Sequence, residues 1–349
     1  MESLKRLQYI YKIINDCYPG FSFSSAPTLF INYSQISDLS NIQIHNITYY
    51  SSLKNQLRIA KEIGLRTQTS IKEQFEIVII SVPKSKEEAF GLIAMAHQQI
   101  KPGGLLVIEG SNRSGINSII KTLSKLIDIE HTASKAHGKI ALIQAYPEHI
   151  NTFSKWMKFN SPSINKDGFF SMPGLFSYKK VDTASNFLTS VFSDKLFGDI
   201  IDLGAGWGFL SLELLKKCSK VKSITLLDYD QRALDCAKLN IKNSKAIFKR
   251  MDVNEVTELM FKFDTVICNP PFHSSEGTNI DLGKRFIKVA HDSLKNSGSL
   301  LLVANIQLPY EKLIAALFDS FEIKAKNKYF KIILAKGPKR YYDNSFVKL

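Results

Sequence analysis

Cysteine is scarce in this sequence, and no long hydrophobic run occurs in it. The four cysteines are scattered, without a Cys-x-x-Cys pair or a histidine at metal-ligand spacing: Cys17, Cys218, Cys236 and Cys268. This pattern predicts neither a disulfide framework nor a zinc site. No apolar stretch approaches the roughly 20 residues that cross a membrane, and residues 1–20 lack the apolar segment of a signal peptide. We therefore expect a soluble cytoplasmic protein without a metal ion, and we take a monomer as the expected state.

Acidic residues are also few relative to basic ones. The 349 residues include 46 Lys and Arg against 32 Asp and Glu, a formal net charge of +14. Residues 1–150 contribute +4 (16 basic, 12 acidic), and residues 151–349 contribute +10 (30 basic, 20 acidic). A positive protein attracts polyanions, and nucleic acid is the usual one. A lysine-rich proteome would give the same excess, so the charge favours an RNA or DNA partner without requiring one.

The C-terminal half alternates short aliphatic runs with amphipathic stretches. Strands are predicted at Asp199–Leu203, Ser223–Asp228, Thr265–Cys268 and Ser299–Ala304, and helices at Phe209–Lys217, Gln231–Lys242 and Leu282–Lys295. Strand and helix in repeated alternation predict an α/β domain with a doubly wound, mostly parallel sheet. The total length suits two such domains.

The N-terminal half contains a weaker copy of this pattern. Glu76–Pro83 aligns with Asp264–Pro271 at an offset of 188, and Gly104–Glu109 aligns with Ser299–Ala304 at an offset of 195. Such self-similarity indicates an internal duplication. The difference of seven residues predicts a longer connection in the C-terminal copy, near His273–Thr278.

A glycine-rich loop follows the first predicted strand of the C-terminal half. Gly204, Ala205, Gly206 and Gly208 lie between this strand and a helix, where glycine allows a ligand to approach the backbone closely. Asp202 precedes the loop. A carboxylate there suits the amino-acid end of S-adenosylmethionine, whereas it would repel the pyrophosphate of a dinucleotide.

Two further acids follow the next strands. Asp228, next to Tyr229, ends the second predicted strand, where an acid can accept hydrogen bonds from both ribose hydroxyls. Asp252, next to Val253, follows the third strand and either accepts the adenine amino group or is a solvated loop carboxylate. The loop and the acids together predict S-adenosylmethionine as the cofactor. Besides Asp202 and the loop, the residues expected to bind it are Asp228, Tyr229, Asp252 and Val253.

The fourth strand of this half leads into Asn269-Pro270-Pro271-Phe272, followed by His273. The Asn269 side-chain oxygen and the Pro270 carbonyl can accept the two hydrogens of a ring-conjugated amine and direct its lone pair at a methyl donor. Asn269 is also expected to contact the cofactor. The Phe272 ring would stack on the base. His273 contacts the base, accepts a proton or is a loop residue, and the sequence leaves these three roles open.

Several segments together resemble a known family, the bacterial small-subunit ribosomal RNA guanine-N2 methyltransferases known as RsmC. The matching segments are Ser111–Ile116, Met172–Ser177, Asp202–Gly208, Cys268–His273, Val303–Tyr310 and Tyr329–Ala335. The Asn-Pro-Pro-Phe-His motif and the later Val-Ala-Asn sequence are far more specific than the glycine loop. The resemblance implies transfer of a methyl group from S-adenosylmethionine to the N2 amine of a guanine in 16S rRNA, with ribosomal RNA or the small ribosomal subunit as partner.

The resemblance also implies two tandem Rossmann-like class I methyltransferase domains. The N-terminal domain, residues 1–150, would then be degenerate and serve folding and RNA recognition, and residues 171–349 would form the catalytic domain. The sequence agrees, because Ser81-Val82-Pro83 stands where Asn-Pro-Pro would be and no glycine loop precedes it. The linker is expected at residues 151–170, because the stretch from Tyr146 to Met172 is rich in Ser, Asn, Lys and Pro and has no sustained period. Trp207, inside the glycine loop, is a bulky departure from the family pattern and is expected to alter how the pocket closes.

Other functions remain open from the residues alone. A large-subunit rRNA guanine-N2 methyltransferase shares the same core motifs, and an adenine-N6 methyltransferase acting on RNA or DNA would use the same Asn-Pro-Pro-Phe chemistry. Methylation of a protein glutamine is favoured more by tyrosine than by phenylalanine at position 272. A catalytically inactive RNA-binding assembly factor is the alternative outside the enzymes.

A lysine-rich segment near the C-terminus is a candidate RNA surface. Its basic residues are Lys324, Lys326, Lys328, Lys331, Lys336, Lys339 and Arg340, with no acid among residues 324–340. Aromatic residues lie between them or beside them, which suits phosphates and bases together. The same pattern also fits an edge strand with lysines outward and aromatics inward, and the sequence does not decide between the two.

Overall fold

The computed structural model describes residues 2–18, 20–21, 25–33, 35–41, 46–255, 262–271, 273–274, 277–278 and 280–340. The chain divides into two compact units. The N-terminal unit comprises Met1–Pro162 and Met172–Gly174, and the C-terminal unit comprises Ser163–Ser171 and Leu175–Leu349.

The N-terminal unit is built on a seven-stranded sheet of order β3-β2-β1-β4-β5-β7-β6. Its strands are β1 (Thr28–Ile31), β2 (Ile47–Tyr50), β3 (Arg66–Gln68), β4 (Phe75–Ser81), β5 (Ile100–Ser111), β6 (His131–Lys135) and β7 (Gly138–Gln144). Its described helices are α1 (Glu2–Cys17), α2 (Lys54–Glu62), α3 (Lys86–Gln98), α4 (Ile116–Leu123) and α5 (His149–Ser154). The first five strands in this order run parallel, and β7 and β6 are antiparallel.

The C-terminal unit has a seven-stranded sheet of order β12-β11-β10-β13-β16-β18-β17 and two small two-stranded sheets. Its strands are β8 (Ser163–Ile164), β9 (Phe170–Ser171), β10 (Gly198–Leu203), β11 (Val221–Asp228), β12 (Ala246–Arg250), β13 (Phe263–Cys268), β14 (His273–Ser274), β15 (Gly277–Thr278), β16 (Leu294–Asn305), β17 (Phe318–Lys326) and β18 (Phe330–Pro338). Its described helices are α6 (Thr183–Leu188), α7 (Phe209–Lys217), α8 (Gln231–Asn240), α9 (Ile280–Ser293) and α10 (Tyr310–Leu317).

The two large sheets share one plan, because the same strand order recurs with five parallel strands followed by an antiparallel pair. The prediction of two tandem, mostly parallel α/β domains is therefore confirmed. The strands β4 and β13, which match in the sequence, are each the fourth strand in the order of their sheet. The connection after β4 has four residues (82–85), whereas the one after β13 has eleven (269–279), and the extra seven include the small sheet of β14 and β15.

Burial explains why the central strands read as unbroken hydrophobic runs. In β4, Val78 and Ile80 belong to one cluster of buried side chains, while Ile77 and Ile79 belong to another. Successive side chains of a strand point to opposite faces, so both faces of this sheet are covered. Each strand with two buried faces is apolar throughout, as parallel strands usually are.

Two of the three predicted helices differ from the structure by two residues at one end or both. The helix predicted at Leu282–Lys295 begins and ends two residues earlier, as α9 (Ile280–Ser293), because Leu294 and Lys295 already belong to β16. α7 has the predicted bounds, whereas α8 ends at Asn240, two residues before the predicted end. The Asn240 side chain accepts a hydrogen bond from Phe170 N–H at 2.7 Å and donates to the carbonyls of Phe170 and Trp207 at 2.9 and 2.8 Å. These tertiary bonds use the last residue of α8 to hold β9 and the glycine loop.

Residues 151–170, expected as a linker, have structure of their own. They include most of α5 and a 3-10 turn at Met157–Asn160, and residues up to Pro162 group with the N-terminal unit. The Trp156 ring stacks on Phe90 of α3 at 4.3 Å, and Asn160 Nδ2 donates to the Gly91 carbonyl at 2.6 Å. The following residues, Ser163–Ser171, group with the C-terminal unit.

Candidate active site

The carboxyl ends of three parallel strands lie side by side at one edge of the C-terminal sheet. In the register, Leu203 of β10 is opposite Leu227 of β11 and Cys268 of β13. The polar side chains at these strand ends are those of Asp202, Asp228 and Asn269. Ligands of doubly wound sheets bind at this edge.

Asp202 is fully buried and only half satisfied. Its Oδ2 accepts a hydrogen bond from the Ser211 hydroxyl of α7 at 2.7 Å, while its Oδ1 has no partner among the described residues. Burial is the main cause that raises the pKa of Asp202 to about 7; the Ser211 bond opposes this rise, and the nearby Asp228 carboxylate adds to it. A buried carboxylate with one free oxygen would gain most from a cationic N–H donor.

The glycine loop turns from β10 into α7. Gly206 and Gly208 have φ angles of 54° and 89°, which favour glycine. The N–H groups of Gly204 and Ala205 donate to the Leu227 carbonyl at 2.9 and 3.0 Å, which ties the loop to β11. Beyond its chain neighbours, no described residue comes within 4 Å of the position that a Cβ on Gly206 would take. The loop therefore leaves open space beside its backbone.

Asp228 ends β11 and is buried. Its Oδ2 accepts a hydrogen bond from Gly206 N–H at 2.8 Å, and its Oδ1 accepts one from Asp230 N–H at 2.9 Å. Burial raises the pKa of Asp228 to about 6 even though these bonds lower it. Each carboxylate oxygen accepts more than one hydrogen bond, so the expected contact with ribose hydroxyls is compatible with this geometry. The neighbouring Tyr229 is 42% exposed.

Asp252 lies just after β12 and is buried together with Val253. Its Oδ1 accepts hydrogen bonds from the backbone and side-chain N–H groups of Asn254, both at 2.9 Å. This oxygen therefore stabilises the local turn. Contact of Asp252 or Val253 with an adenine ring stays a prediction.

Asn269 follows β13, and its amide nitrogen is held from one side. Nδ2 donates to Asp182 Oδ2 at 3.0 Å and to Ser185 Oγ at 2.9 Å. Both hydrogens of this nitrogen are thereby used, whereas Oδ1 accepts no hydrogen bond from the described residues. Pro270 is buried and Pro271 is half-buried, so the backbone beyond Asn269 is anchored as well.

The rest of the predicted catalytic segment is described only in part. Phe272 lies outside the described residues. The backbone of His273 begins β14, which pairs antiparallel with β15, while the His273 side chain lies outside the described part. The roles expected for these two residues stay predictions.

The sequence analysis did not identify the residues that hydrogen-bond the site's polar side chains, namely Asp182 and Ser185 at the start of α6 and Ser211 in α7. Asp182 caps the N-terminus of α6, where its Oδ2 accepts a hydrogen bond from Ser185 N–H at 2.8 Å. An Asp immediately before a helical stretch is a recognisable start signal, so the cap could have been found. Its contact with Asn269, 87 residues further along the chain, has no local signature.

Trp207, the bulky residue in the glycine loop, is only 5% exposed and packs inside the unit. Its indole N–H donates to the Phe176 carbonyl at 3.1 Å, and its ring lies 5.2 Å from the Phe169 ring and 5.9 Å from the Phe209 ring. The indole therefore fixes the segment that precedes α6 to the loop.

The lysine-rich segment divides into structural and exposed residues. Lys331 is buried, and its Nζ donates to Glu311 Oε1 at 2.5 Å and to the carbonyls of Leu308 and Ile306 at 2.7 and 3.2 Å. Arg340 similarly donates to the Leu294 carbonyl at 2.6 Å. Lys339 Nζ donates to the Ala315 carbonyl at 3.0 Å. These three cations stabilise the unit. The basic side chains of the segment that are exposed are those of Lys324, Lys326, Lys328 and Lys336.

Two further observations concern metals and membranes. In the described part of the chain, no three His, Cys, Asp or Glu side chains come together as ligands for a metal ion. None of the helices among the described residues combines the length and the apolar composition that crossing a bilayer requires.

Comparison with known proteins extends over both units. The family model Methyltransferase small domain matches residues 167–334, and Methyltransferase small domain N-terminal matches residues 26–159. Ribosomal RNA small subunit methyltransferase C of Shewanella sediminis is 30% identical over 267 residues, covering 75% of this chain and 77% of the relative. The protein of the same name from Psychromonas ingrahamii is 28% identical over 306 residues, covering 85% and 86%.

A solved structure shares the fold of both units. It is the T. thermophilus 16S rRNA N2 G1207 methyltransferase (RsmC) in complex with AdoMet and guanosine, with a TM-score of 0.73, 19% sequence identity, and coverage of 94% of this chain and 92% of that one. The family models, the 30% identity to a curated relative and this shared fold agree. The chain belongs to the ribosomal RNA small subunit methyltransferase C family of S-adenosylmethionine-dependent methyltransferases.

Proposed function

We propose that this chain transfers a methyl group from S-adenosylmethionine to the exocyclic N2 amine of a guanine in 16S ribosomal RNA. The observation that carries the proposal is the Asn269 amide, whose nitrogen is tied by two hydrogen bonds while its oxygen is left to accept one at the ligand-binding edge of the sheet. The names of the relatives and of the solved structure support the ribosomal substrate and the guanine amine.

The residues at this edge fit S-adenosylmethionine. The free Oδ1 of buried Asp202 would accept a hydrogen bond from the α-ammonium group, and the open space beside Gly206 leaves room for the chain that links it to the nucleoside. Asp228 would bind the ribose hydroxyls, and Asp252 and Val253 would lie against the adenine. When bound, S-adenosylmethionine supplies an electrophilic methyl group on a positively charged sulfur.

The chain's own contribution is to orient a weak nucleophile. The lone pair of the guanine N2 amine is delocalised into the ring, so the free amine attacks poorly. Asn269 Oδ1 and the Pro270 carbonyl would accept its two hydrogens, which localises the lone pair and fixes its direction. An N–H proton becomes acidic only once the nitrogen carries the methyl group, so no strong base is required before attack.

The N-terminal unit carries no glycine loop at its equivalent edge, and we infer that it serves folding and RNA recognition. A candidate surface for RNA is an open hollow of about 350 Å³ at the turn between β6 and β7. Six of its eight lining residues have polar or basic side chains, namely Asn112, Asn117, Ser134, Lys135, His137 and Lys139, and the other two are Ala136 and Gly138. None of the described residues that line the hollow is acidic, as suits a phosphate group.

The turn that forms this hollow is held in an uncommon conformation. Ala136 and His137 have φ angles of 46° and 50°, where residues other than glycine are strained. Arg6 Nη1 donates to the Ala136 carbonyl at 3.1 Å, and Asn112 N–H donates to the His137 carbonyl at 2.9 Å. Arg6 is itself buried in an ion pair with Glu109 at 2.6 Å. The ion pair and these backbone bonds hold the turn between β6 and β7 in one conformation, which fixes the place of Lys135 and Lys139 at the two sides of the hollow.

The proposal is tested by methyl transfer from labelled S-adenosylmethionine to purified 16S rRNA, 23S rRNA, assembled small subunits and DNA. Mass spectrometry of the digested product should show N2-methylguanosine from 16S rRNA or the small subunit. N6-methyladenosine, or label in 23S rRNA alone, would replace the proposed substrate by one of the alternatives. Absence of transfer to any substrate, despite S-adenosylmethionine binding, would favour an inactive assembly factor.

A further inference from the structure

The orientation of the Asn269 amide is decided by residues outside the Asn-Pro-Pro-Phe motif. We propose that Asp182 and Ser185 are positioning residues, which fix the side-chain oxygen of Asn269, and not its nitrogen, toward the substrate amine. The inference deepens the proposed function and rests on it, because it concerns the acceptor that this function requires.

An asparagine amide can present either of two opposite groups. Its oxygen accepts hydrogen bonds and its nitrogen donates two, and a half-turn about the last side-chain bond exchanges them. A substrate amine brings hydrogens to the site. A flipped Asn269 would therefore direct its own N–H groups at those of the substrate. The site would then repel the substrate amine that it has to bind.

The contacts of Asn269 exclude that flipped orientation. An ionised carboxylate only accepts hydrogen bonds, so Asp182 Oδ2, 3.0 Å away, requires the nitrogen of Asn269 on its side. Ser185 Oγ, 2.9 Å from the same nitrogen, takes the second hydrogen. A flip would bring Asn269 Oδ1 against the carboxylate, which is a repulsive contact between two acceptors.

The two positioning residues are themselves held in place by α6. Asp182 Oδ2 accepts the Ser185 N–H at 2.8 Å as the helix cap, so one oxygen both starts the helix and holds Asn269. Ser185 is buried in the first turn of α6, and α6 packs on β16 of the sheet. The amide is thus anchored to the sheet on both sides, through β13 and through α6.

The first test is Asp182→Asn, which keeps the helix cap because asparagine caps as well as aspartate. The neutral amide at position 182 no longer forbids the flip of Asn269. We expect kcat to fall about 10- to 100-fold, the range for loss of a charge-assisted hydrogen bond, with KM for RNA and Kd for S-adenosylmethionine within about twofold of wild type. Ser185→Ala keeps the carboxylate and should lower kcat by less.

The matched control is Asp194→Asn. The Asp194 carboxylate likewise accepts a backbone N–H and a side-chain donor, from Ser219 at 2.7 and 2.9 Å, but it is exposed and does not touch Asn269. This variant should keep the wild-type kcat. A fall in kcat for Asp194→Asn equal to that of Asp182→Asn would overturn the assignment, since loss of any anchored carboxylate would then have the same effect.

The reciprocal swap separates positioning from a merely structural role. Asn269→Asp alone sets two carboxylates against each other and should be inactive. In the double variant Asp182→Asn with Asn269→Asp, the amide at 182 donates to the carboxylate at 269, whose second oxygen again faces the substrate. We expect the double variant to exceed Asn269→Asp in kcat by about tenfold or more. A double variant no more active than Asn269→Asp would refute the inference.

A readout without RNA keeps this inference distinguishable from the proposed function. In 1H–15N spectra, the signal pair of the Asn269 side-chain amide, assigned by its loss in Asn269→Asp, should be protected from solvent exchange in wild type and exchange faster in Asp182→Asn. Equal exchange in both proteins overturns the positioning role even if 16S rRNA is methylated. Protection in a protein that methylates no RNA would support the anchoring and refute the proposed function alone.

Discussion

Replacing Asp202 by asparagine should stabilise the free protein at neutral pH and weaken its binding of S-adenosylmethionine. The pKa of Asp202 is raised from 3.8 to about 7 in the folded state, chiefly by burial. Because the folded-state pKa lies above that of the unfolded chain, ionisation costs folding free energy as pH rises. At about 1.4 kcal/mol per pH unit, this cost is at most about 4 kcal/mol above pH 7, and it is absent below about pH 4.

The asparagine at position 202 does not recover the whole of this cost. Its amide keeps an acceptor for the Ser211 hydroxyl but buries N–H groups without a partner, a cost of about 1–3 kcal/mol. We therefore expect Asp202→Asn to raise the free energy of unfolding by about 1–3 kcal/mol at pH 8 and to lose this advantage near pH 4. Loss of the charge-assisted bond should weaken S-adenosylmethionine binding about 10- to 100-fold.

Denaturant unfolding followed by circular dichroism at pH 4, 6 and 8 measures the first effect, and titration calorimetry measures the second. Asp194→Asn serves as a control of opposite sign, because hydrogen bonds from Ser219 lower the pKa of Asp194 and its carboxylate therefore stabilises the fold at neutral pH. A stability difference for Asp202→Asn that is the same at all three pH values would refute the reasoning. Destabilisation at pH 8 with unchanged cofactor affinity would also refute it.

Three further predictions concern catalysis, packing and RNA binding. Asn269→Ala should abolish methyl transfer in the labelled assay and leave the calorimetric Kd for S-adenosylmethionine within a few-fold of wild type, because the amide acts on the amine. Lys331→Met should destabilise the C-terminal unit by about 2 kcal/mol in denaturant unfolding, since the carbonyls of Ile306 and Leu308 lose their donor, with RNA affinity unchanged. The double variant Lys135→Glu with Lys139→Glu should weaken RNA binding in filter assays and reduce the slope of log K against log salt by about 1.4 to 1.8.

Each of these predictions has a discriminating outcome. Full turnover by Asn269→Ala would refute the proposed mechanism. A loss of RNA affinity in Lys331→Met without a loss of stability would indicate that Lys331 contacts RNA. Lys61→Glu with Lys72→Glu, which changes the same charge on exposed lysines of the same unit, is the control for the RNA experiment. An equal loss of affinity in this control would mean that net charge, and not the hollow at the β6–β7 turn, determines RNA binding.

Sequence reasoning was strongest where one local property determines the outcome. A strand buried on both faces must be apolar, and a ligand that approaches the backbone needs glycine, so the sheet, the duplication and the place of the glycine loop could be predicted from residues close in the chain. The same logic placed seven extra residues after β13 because two strand offsets differed by that number. The sequence by itself therefore determined the α/β plan and the edge where the candidate site lies.

Only the tertiary structure decided which groups at that edge are free and which are used. The hydrophobic period of the sequence does not show that the nitrogen of Asn269 donates to Asp182 and Ser185. Nor does it show that one oxygen of Asp202 has no hydrogen-bond partner among the described residues. Composition put Lys331 in a candidate RNA surface, whereas its ammonium is buried against Glu311 and two carbonyls. The physical reason is the same in each case: a hydrogen-bond partner is chosen by distance in space, and residues 20 to 87 positions apart meet only after the sheet has formed.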